Sequence, residues 1–337
     1  MYHLLRPLLF KLNSETAHDV SLNSLQRIHQ LRLLPGRKIK SPVYSCLGLN
    51  FPNRVGLAAG LDKNGDYFEA LGQFGFGFVE LGTVTPKPQA GNAKPRMFRL
   101  PQYQAIINRM GFNNKGVDYL VERLRQRRYT GVVGANIGKN KDTPEDQAGQ
   151  DYQICLNKLY PYCDYLTVNI SSPNTPGLRK LQSRDYFLPL VEQLVEQRVQ
   201  QTLQHGHRPI LIKIAPDLND EALQTISQIC VDSDIDGLII SNTTIERPGI
   251  ESTRWQQEAG GCSGRPVQQL AQQALKKVRQ QVPEDYPLIG VGGIMQAADA
   301  AQRIEQGADL IQLYTGFIYQ GPKLVRDSIK AISRLRD

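Results

Sequence analysis

Eight short β-branched runs alternate with amphipathic helical stretches, every run ends in polar residues or glycine, and no G-x-G-x-x-G follows any of them. Together these observations predict an α/β fold, a (β/α)8 TIM barrel with an N-terminal helical extension, rather than a doubly wound dinucleotide-binding sheet. A barrel of roughly 250 residues leaves room within 337 residues for that extension and a few insertions.

Residues 1–35 form the extension. MYHLLRPLLFKL is leucine-rich with basic punctuation, and Ser14 opens a second helical pattern with Ala17, Val20, Leu25, Ile28 and Leu31 apolar. Leu33, Leu34 and Pro35 close it, and Gly36 and Arg37 turn the chain into the barrel, residues 36–337. The strand runs are Val55 to Ala58, Phe78 to Gly82, Val132 to Ile137, Tyr165 to Ile170, Ile210 to Ile214, Gly237 to Ser241, Leu288 to Val291 and Leu310 to Tyr314. Barrel chemistry sits where strands end. In order, the endings are Ala59-Gly60-Leu61-Asp62-Lys63, Gly82-Thr83, Asn136, Asn169, Lys213, Ser241-Asn242-Thr243, Gly292-Gly293 and Tyr314-Thr315.

Composition narrows the class less sharply. With 40% hydrophobic and 21% charged residues the chain is ordinary globular protein, and its net charge of +8 suits small anionic ligands, an anionic membrane surface or nucleic acid. Cys46, Cys155, Cys163, Cys230 and Cys262 are scattered without a CxxC pair, so no disulfide framework, iron–sulfur cluster or zinc site is expected, and a reducing compartment fits. No apolar run reaches the roughly 18 residues of a spanning helix, and the N-terminus lacks a cleavage site of small residues; neither spanning nor export is expected.

At the mouth, the Gly290-Val-Gly-Gly loop and the Tyr314-Thr-Gly-Phe stretch occupy places where barrels bind phosphate through backbone N–H groups. Lys213 ends an otherwise apolar run, which demands either an acid on an adjacent strand or a function: a Schiff base, or stabilisation of negative charge such as that on a reduced flavin. Asn136, Asn169 and Asn242 suit a heteroaromatic ligand with amide edges. His3, His18 and His29 lie in the extension, and His205 and His207 precede the fifth run, so no histidine is expected at the mouth. The base is then a lysine, a hydroxyl or an acid. In NISSPNTPG (169–177) the hydroxyls of Ser171 and Ser172 are candidates for it, against the blander reading of turn capping.

The segments GLAAGLDKNG (56–65), ELGTVTPKPQAGNAKPRMFRL (80–100), INRMGFNN (107–114), NIGKNKDT (136–143), NISSPNTPG, KIAPDL (213–218), SNTT (241–244), SGRP (263–266), GVGGI (290–294) and LYTGF (313–317) carry a resemblance that runs nearly end to end. The chain resembles the dihydroorotate dehydrogenases, specifically their quinone-dependent class 2. The resemblance implies oxidation of dihydroorotate to orotate in pyrimidine biosynthesis, with hydride passing to FMN and electrons passing on to a membrane quinone. It implies FMN contacts at Ala59, Gly60, Leu61, Asp62, Lys63, Thr83, Asn136, Asn169, Lys213, Ser241, Gly264, Gly293, Tyr314 and Thr315. Substrate contacts are implied at Lys63, Asn108, Arg109, Met110, Gly111, Phe112, Asn169, Asn174, Asn242 and Thr243, with Ser172 as the base. A quinone site is implied at His18, Arg99 and Tyr314, with the extension resting peripherally on the cytoplasmic face of the membrane. No metal and no nucleic-acid partner are expected. Ser241, where many relatives carry threonine, and Cys262 before Ser263 are small departures. Two alternatives stay open: another FMN barrel acting on a different ring, and a non-catalytic binder of RNA or anionic lipid.

Overall fold

The computed structural model describes residues 2–34, 36 and 39–335, so Pro35, expected to close the extension, and Arg37, an expected turn residue, lie outside the described residues. In chain order the strands are β1 (Tyr44–Cys46), β2 (Leu49–Phe51), β3 (Val55–Leu57), β4 (Phe78–Val84), β5 (Met97–Leu100), β6 (Ala105–Asn108), β7 (Val132–Ile137), β8 (Tyr165–Asn169), β9 (Ile210–Ile214), β10 (Gly237–Ile240), β11 (Gly261–Gly264), β12 (Leu288–Val291) and β13 (Leu310–Leu313). Strands β3, β4, β7, β8, β9, β10, β12 and β13 close in that order into a parallel barrel. These are the eight runs expected from the sequence; the largest difference is at β4, which continues to Val84.

Five further strands escape a reading of periodicity, because three- and four-residue segments cannot show one. The β1–β2 hairpin closes the bottom of the barrel. Its Phe51 packs edge-on against Phe78, with ring centroids 5.3 Å apart, and Tyr44 donates to Asp309 Oδ1 at 2.9 Å. Strands β5, β6 and β11, from insertions after β4 and β10, form an antiparallel sheet beside the mouth, with Asn108 opposite both Met97 and Gly261.

Side chains alternate across each barrel strand. On β4 Val79 and Leu81 join the outer core under the helices, while Phe78 faces inward with Tyr165, Leu211, Ile239, Ile289 and Leu310 as an apolar lower layer. Gly56 and Gly134 face the rings of Phe78 and Tyr165, where any Cβ would collide, so glycine makes room for two large rings in one narrow interior.

The extension forms helices α1 (Tyr2–Leu9) and α2 (Ser14–Gln30), the latter N-capped by the Asn13 side chain, which accepts from Glu15 N–H at 3.0 Å. Both lie at the mouth, not beneath the barrel. Glu15 meets Arg96 at 2.6 Å, Arg6 donates to the Tyr319 carbonyl at 2.8 Å, and Arg99 donates to the carbonyls of Leu9 and Leu12 while its guanidinium sits 4.5 Å from the Phe10 ring centroid. The apolar stripe expected on the second helix is only partly buried: Ala17 is covered and Leu25 half-buried, whereas Val20, Ile28 and Leu31 are exposed; Leu22, outside that stripe, is buried. No helix among the described residues is long and apolar enough to cross a membrane.

Candidate active site

One pocket opens where the barrel strands end, beneath the β5–β6–β11 sheet. Its floor is ionic. Glu80, at the centre of β4 and fully withdrawn from solvent, accepts from Asn136 Nδ2 at 2.8 Å, Gln312 Nε2 at 2.7 Å, and the hydroxyls of Tyr165 and Thr167 at 3.1 Å each. Lys213 Nζ lies 3.9 Å from Glu80 Oε1 and reaches the pocket. Burial pulls the lysine's pKa below the ordinary range, and the Glu80 carboxylate opposes that shift. A partner acid and a pocket-facing charge, alternatives in the sequence, are therefore both present, but the acid comes from β4, three strands round the barrel, and not from the strands adjacent to β9, which are β8 and β10. Glu80 was missed, although one acid inside FVELGTV is a legible signal of the same kind as Lys213.

The wall is a chain of carboxamides and hydroxyls. Thr83 donates to Asn136 Oδ1, Asn169 Nδ2 donates to Thr83 Oγ1 at 3.0 Å, and Asn242 Nδ2 donates to Asn169 Oδ1 at 3.3 Å. The two serines of the β8 loop separate here. Ser171 is enclosed, donating to Asn169 Oδ1 at 3.0 Å and accepting from Asn242 Nδ2 at 2.9 Å, so it is spent on the wall. Ser172 lines the pocket, and its Oγ accepts the Asn174 N–H at 3.3 Å. Asn174 in turn donates to Asn108 Oδ1 at 3.4 Å.

Lys63 closes another side. It is half-buried, donates to the Gly60 carbonyl at 2.8 Å, and is pushed down to about 8 by burial and then by the charge of Arg96. Tyr314 donates to the same carbonyl at 3.4 Å, and burial pushes its hydroxyl up to about 12. Gly264, Gly292, Gly293, Thr315 and Gly316 line the end opposite, where Thr315 Oγ1 donates to Ser263 Oγ at 2.8 Å.

Of the residues expected in the site, Ala59, Gly60, Lys63, Thr83, Asn108, Met110, Gly111, Phe112, Asn169, Ser172, Asn174, Lys213, Ser241, Asn242, Thr243, Gly264, Gly293, Tyr314 and Thr315 line this one pocket. Others do not. Arg109 points away, paired with Glu258 and donating to the Pro95 carbonyl at 2.8 Å, because its place on the insertion sheet turns it outward. Leu61 is in the core, and the Asp62 carboxylate is occupied by the N–H groups of Asp66 and Tyr67 at 2.9 and 2.7 Å. Asn136 lies one layer back, its carboxamide engaged by Glu80, Thr83 and Asn169. His18 and Arg99 are not among the lining residues; Arg99 bonds Ser14 of the extension at 3.2 Å, and burial and the Lys63 charge push His18 down to about 3, which keeps it neutral.

A closed parallel barrel with a buried cation in its floor and a hydroxyl at its mouth defines a (β/α)8 enzyme whose site lies at the carboxyl ends of the strands. Residues 43–335 match the family described as Dihydroorotate dehydrogenase. Proteins named Dihydroorotate dehydrogenase (quinone) are similar over the whole chain: one from Marinomonas sp. (strain MWYL1) is 50% identical, covering 98% of this chain and 96% of its own, and one from Azotobacter vinelandii is 50% identical, covering 100% and 98%. The crystal structure of an Eimeria tenella DHODH in complex with ferulenol superposes with a TM-score of 0.87 at 35% identity, covering 97% of this chain and 93% of that one. The chain belongs to the dihydroorotate dehydrogenase family and is an oxidoreductase.

Proposed function

We propose that the protein oxidises (S)-dihydroorotate to orotate in pyrimidine biosynthesis, using FMN held in the pocket and a membrane quinone as the final acceptor. The observation that carries this reading is the presence of Lys213 and Ser172 on one pocket, a fixed cation in the floor and a hydroxyl at the rim. Three features suit FMN: the carboxamide wall for amide edges, the Lys213 charge for the electron-rich ring, and the Gly292-Gly293 loop for a phosphate. FMN, when bound, supplies the acceptor for the hydride.

The protein's own residues prepare the substrate. Ser172 Oγ takes the proton from the ring carbon beside the substrate's carbonyl as its own hydroxyl proton passes to solvent, and the hydride leaves the neighbouring carbon; loss of both yields the ring double bond. The Asn174 N–H at Oγ stabilises the negative charge on the serine oxygen as its hydroxyl proton departs. Asn108, Asn169, Asn174 and Asn242 hold the ring's amide edges, and Lys63 faces its carboxylate. Thr243 Oγ1, buried without a protein partner, offers a further hydrogen bond.

Residues 1–35 are the membrane and quinone segment of this reading. Leu4, Leu5 and Leu8 on α1 are 78%, 51% and 62% exposed, the apolar face an interfacial helix offers to lipid. Phe10, apolar like these leucines, and Arg6, suited by its charge to anionic headgroups, instead hold the segment to the barrel: Phe10 packs on Tyr319 at 5.3 Å and Arg6 binds its carbonyl. Lys11 is left exposed for anionic headgroups. Purified protein should be yellow, bleach anaerobically with dihydroorotate and release orotate. Colourless protein, or a flavin that dihydroorotate does not reduce, would exclude the assignment.

A further inference from the structure

The loop after β12 is gripped from below by one face of helix Ala297–Glu305. Asp299 and Arg303, four residues apart, point to the same side. Asp299 Oδ2 accepts the N–H groups of Met295 and Gln296 at 2.9 and 3.1 Å. Arg303 has no solvent exposure and donates to the carbonyls of Val291 at 3.3 Å and Gly292 at 2.8 Å. Gly290 leaves room for its stem, since a Cβ there would meet Arg303 Cγ and Cδ.

Peptide geometry then dictates where the remaining donors point. In a trans peptide the C=O and the following N–H are antiparallel. With the Gly292 carbonyl turned toward Arg303, and the Val291 carbonyl shared between Arg303 at 3.3 Å and the Ser241 N–H at 2.9 Å, the N–H groups of Gly292 and Gly293 are turned away from these donors, and both residues line the pocket. No protein acceptor takes either N–H among the described residues. The backbone there is left-handed, with φ of +108° and +73°, which only glycine adopts without strain. Two donors thus face the pocket with a guanidinium directly behind them. That guanidinium makes no direct ion pair among the described residues, although the Asp299 carboxylate is near enough to act on its charge, and its Nε has no partner. Burial, opposed by the Asp299 charge, lowers its pKa to about 10, so the charge persists at neutral pH.

We propose that Arg303 is the positioning residue that makes this loop selective for a phosphate dianion. It helps hold the Gly292 and Gly293 N–H groups outward and places behind them a positive charge that no direct ion pair neutralises. The proposal rests on the FMN reading and assigns to Arg303 the discrimination between FMN and riboflavin, which differ only in the phosphate. A merely structural arginine would affect both flavins alike.

The test is titration of apoprotein with FMN and with riboflavin, followed by flavin fluorescence, for the wild type, Arg303→Lys and Arg303→Met. Losing one charge-assisted interaction weakens binding by about ten- to a hundredfold, and this loss should fall on FMN while riboflavin changes less than about threefold. Arg303→Lys keeps the charge without the planar fork that spans two carbonyls, so its FMN-to-riboflavin ratio should lie between the others. Inorganic phosphate should also compete with FMN less well in Arg303→Lys than in the wild type, a comparison that stands even if Arg303→Met fails to fold. Equal weakening of both flavins, or an unchanged ratio in Arg303→Lys, would overturn the proposal and leave FMN binding by the wild type intact. A wild-type apoprotein that binds neither flavin removes the cofactor reading, and this inference with it.

Discussion

Lys213 Nζ and Glu80 Oε1 stand 3.9 Å apart inside the barrel, the lysine turned to the pocket and the carboxylate held beneath it by four neutral donors. Removing one partner of a buried pair strands the other charge and costs about 3–5 kcal/mol. Lys213→Ala should lower thermal stability accordingly, and it should lower the flavin potential or lose the flavin, because the floor then carries net negative charge. Adding Glu80→Gln should restore part of the stability and, by removing that net negative charge, part of the potential. Spectroelectrochemical titration of any variant that retains FMN decides this; an unchanged potential in Lys213→Ala would make the lysine a structural residue only.

Ser172→Ala should keep its flavin, since the hydroxyl holds only the Asn174 N–H, at 3.3 Å. Flavin reduction by dihydroorotate, followed by stopped flow, should slow by roughly a hundredfold or more, the scale of a lost general base. Near-normal reduction would move the base elsewhere. Ser171→Ala should instead loosen the wall, because its hydroxyl bridges Asn169 and Asn242.

Lys63 sets a pH limb. With its folded pKa pushed down to about 8, the ammonium is present below that pH and lost above it. If it faces the substrate carboxylate, kcat/KM should fall as pH rises through about 8, and Lys63→Arg should move the fall beyond the accessible range. The stability sign is opposite: the unfolded lysine, with a pKa of about 10.4, binds more protons between these values. This group therefore penalises folding below about 8 and relieves the penalty as pH rises. A kcat/KM profile for Lys63→Arg identical to the wild type would detach Lys63 from the substrate.

Deletion of residues 1–35 should leave flavin reduction by dihydroorotate intact, while turnover with a long-chain quinone and flotation with anionic phospholipid vesicles both drop sharply. Arg99→Ala should act in the same direction and more weakly, because the guanidinium ties the Leu9 and Leu12 carbonyls and the Phe10 ring to the barrel. A truncated protein that floats and turns over quinone like the full chain would reduce the segment to a cover over the mouth.

The barrel was legible because each parallel strand is buried on both faces and ends abruptly in polar residues, a pattern local enough to read along the chain. Most of the pocket was legible for the same reason, since Asn169, Lys213, Asn242 and Tyr314 sit at strand ends. Where each polar side chain points was not, because that depends on partners distant in sequence. Glu80 meets Gln312 across 232 positions and Tyr165 across 85. Arg109 is adjacent to Asn108 yet turns outward to Glu258, and Ser171 is adjacent to Ser172 yet is enclosed in the wall. The sequence by itself determined the fold and the ring of groups around one mouth, since hydrophobic period and strand endings are local properties. Tertiary structure alone decided which of two neighbouring serines is accessible, that the N-terminal helices lie over the mouth rather than under the barrel, and that Arg303 stands behind the glycine loop. Those outcomes follow from the closing of the sheet, which brings side chains from separate strands into one desolvated space and lets hydrogen-bond satisfaction settle their directions.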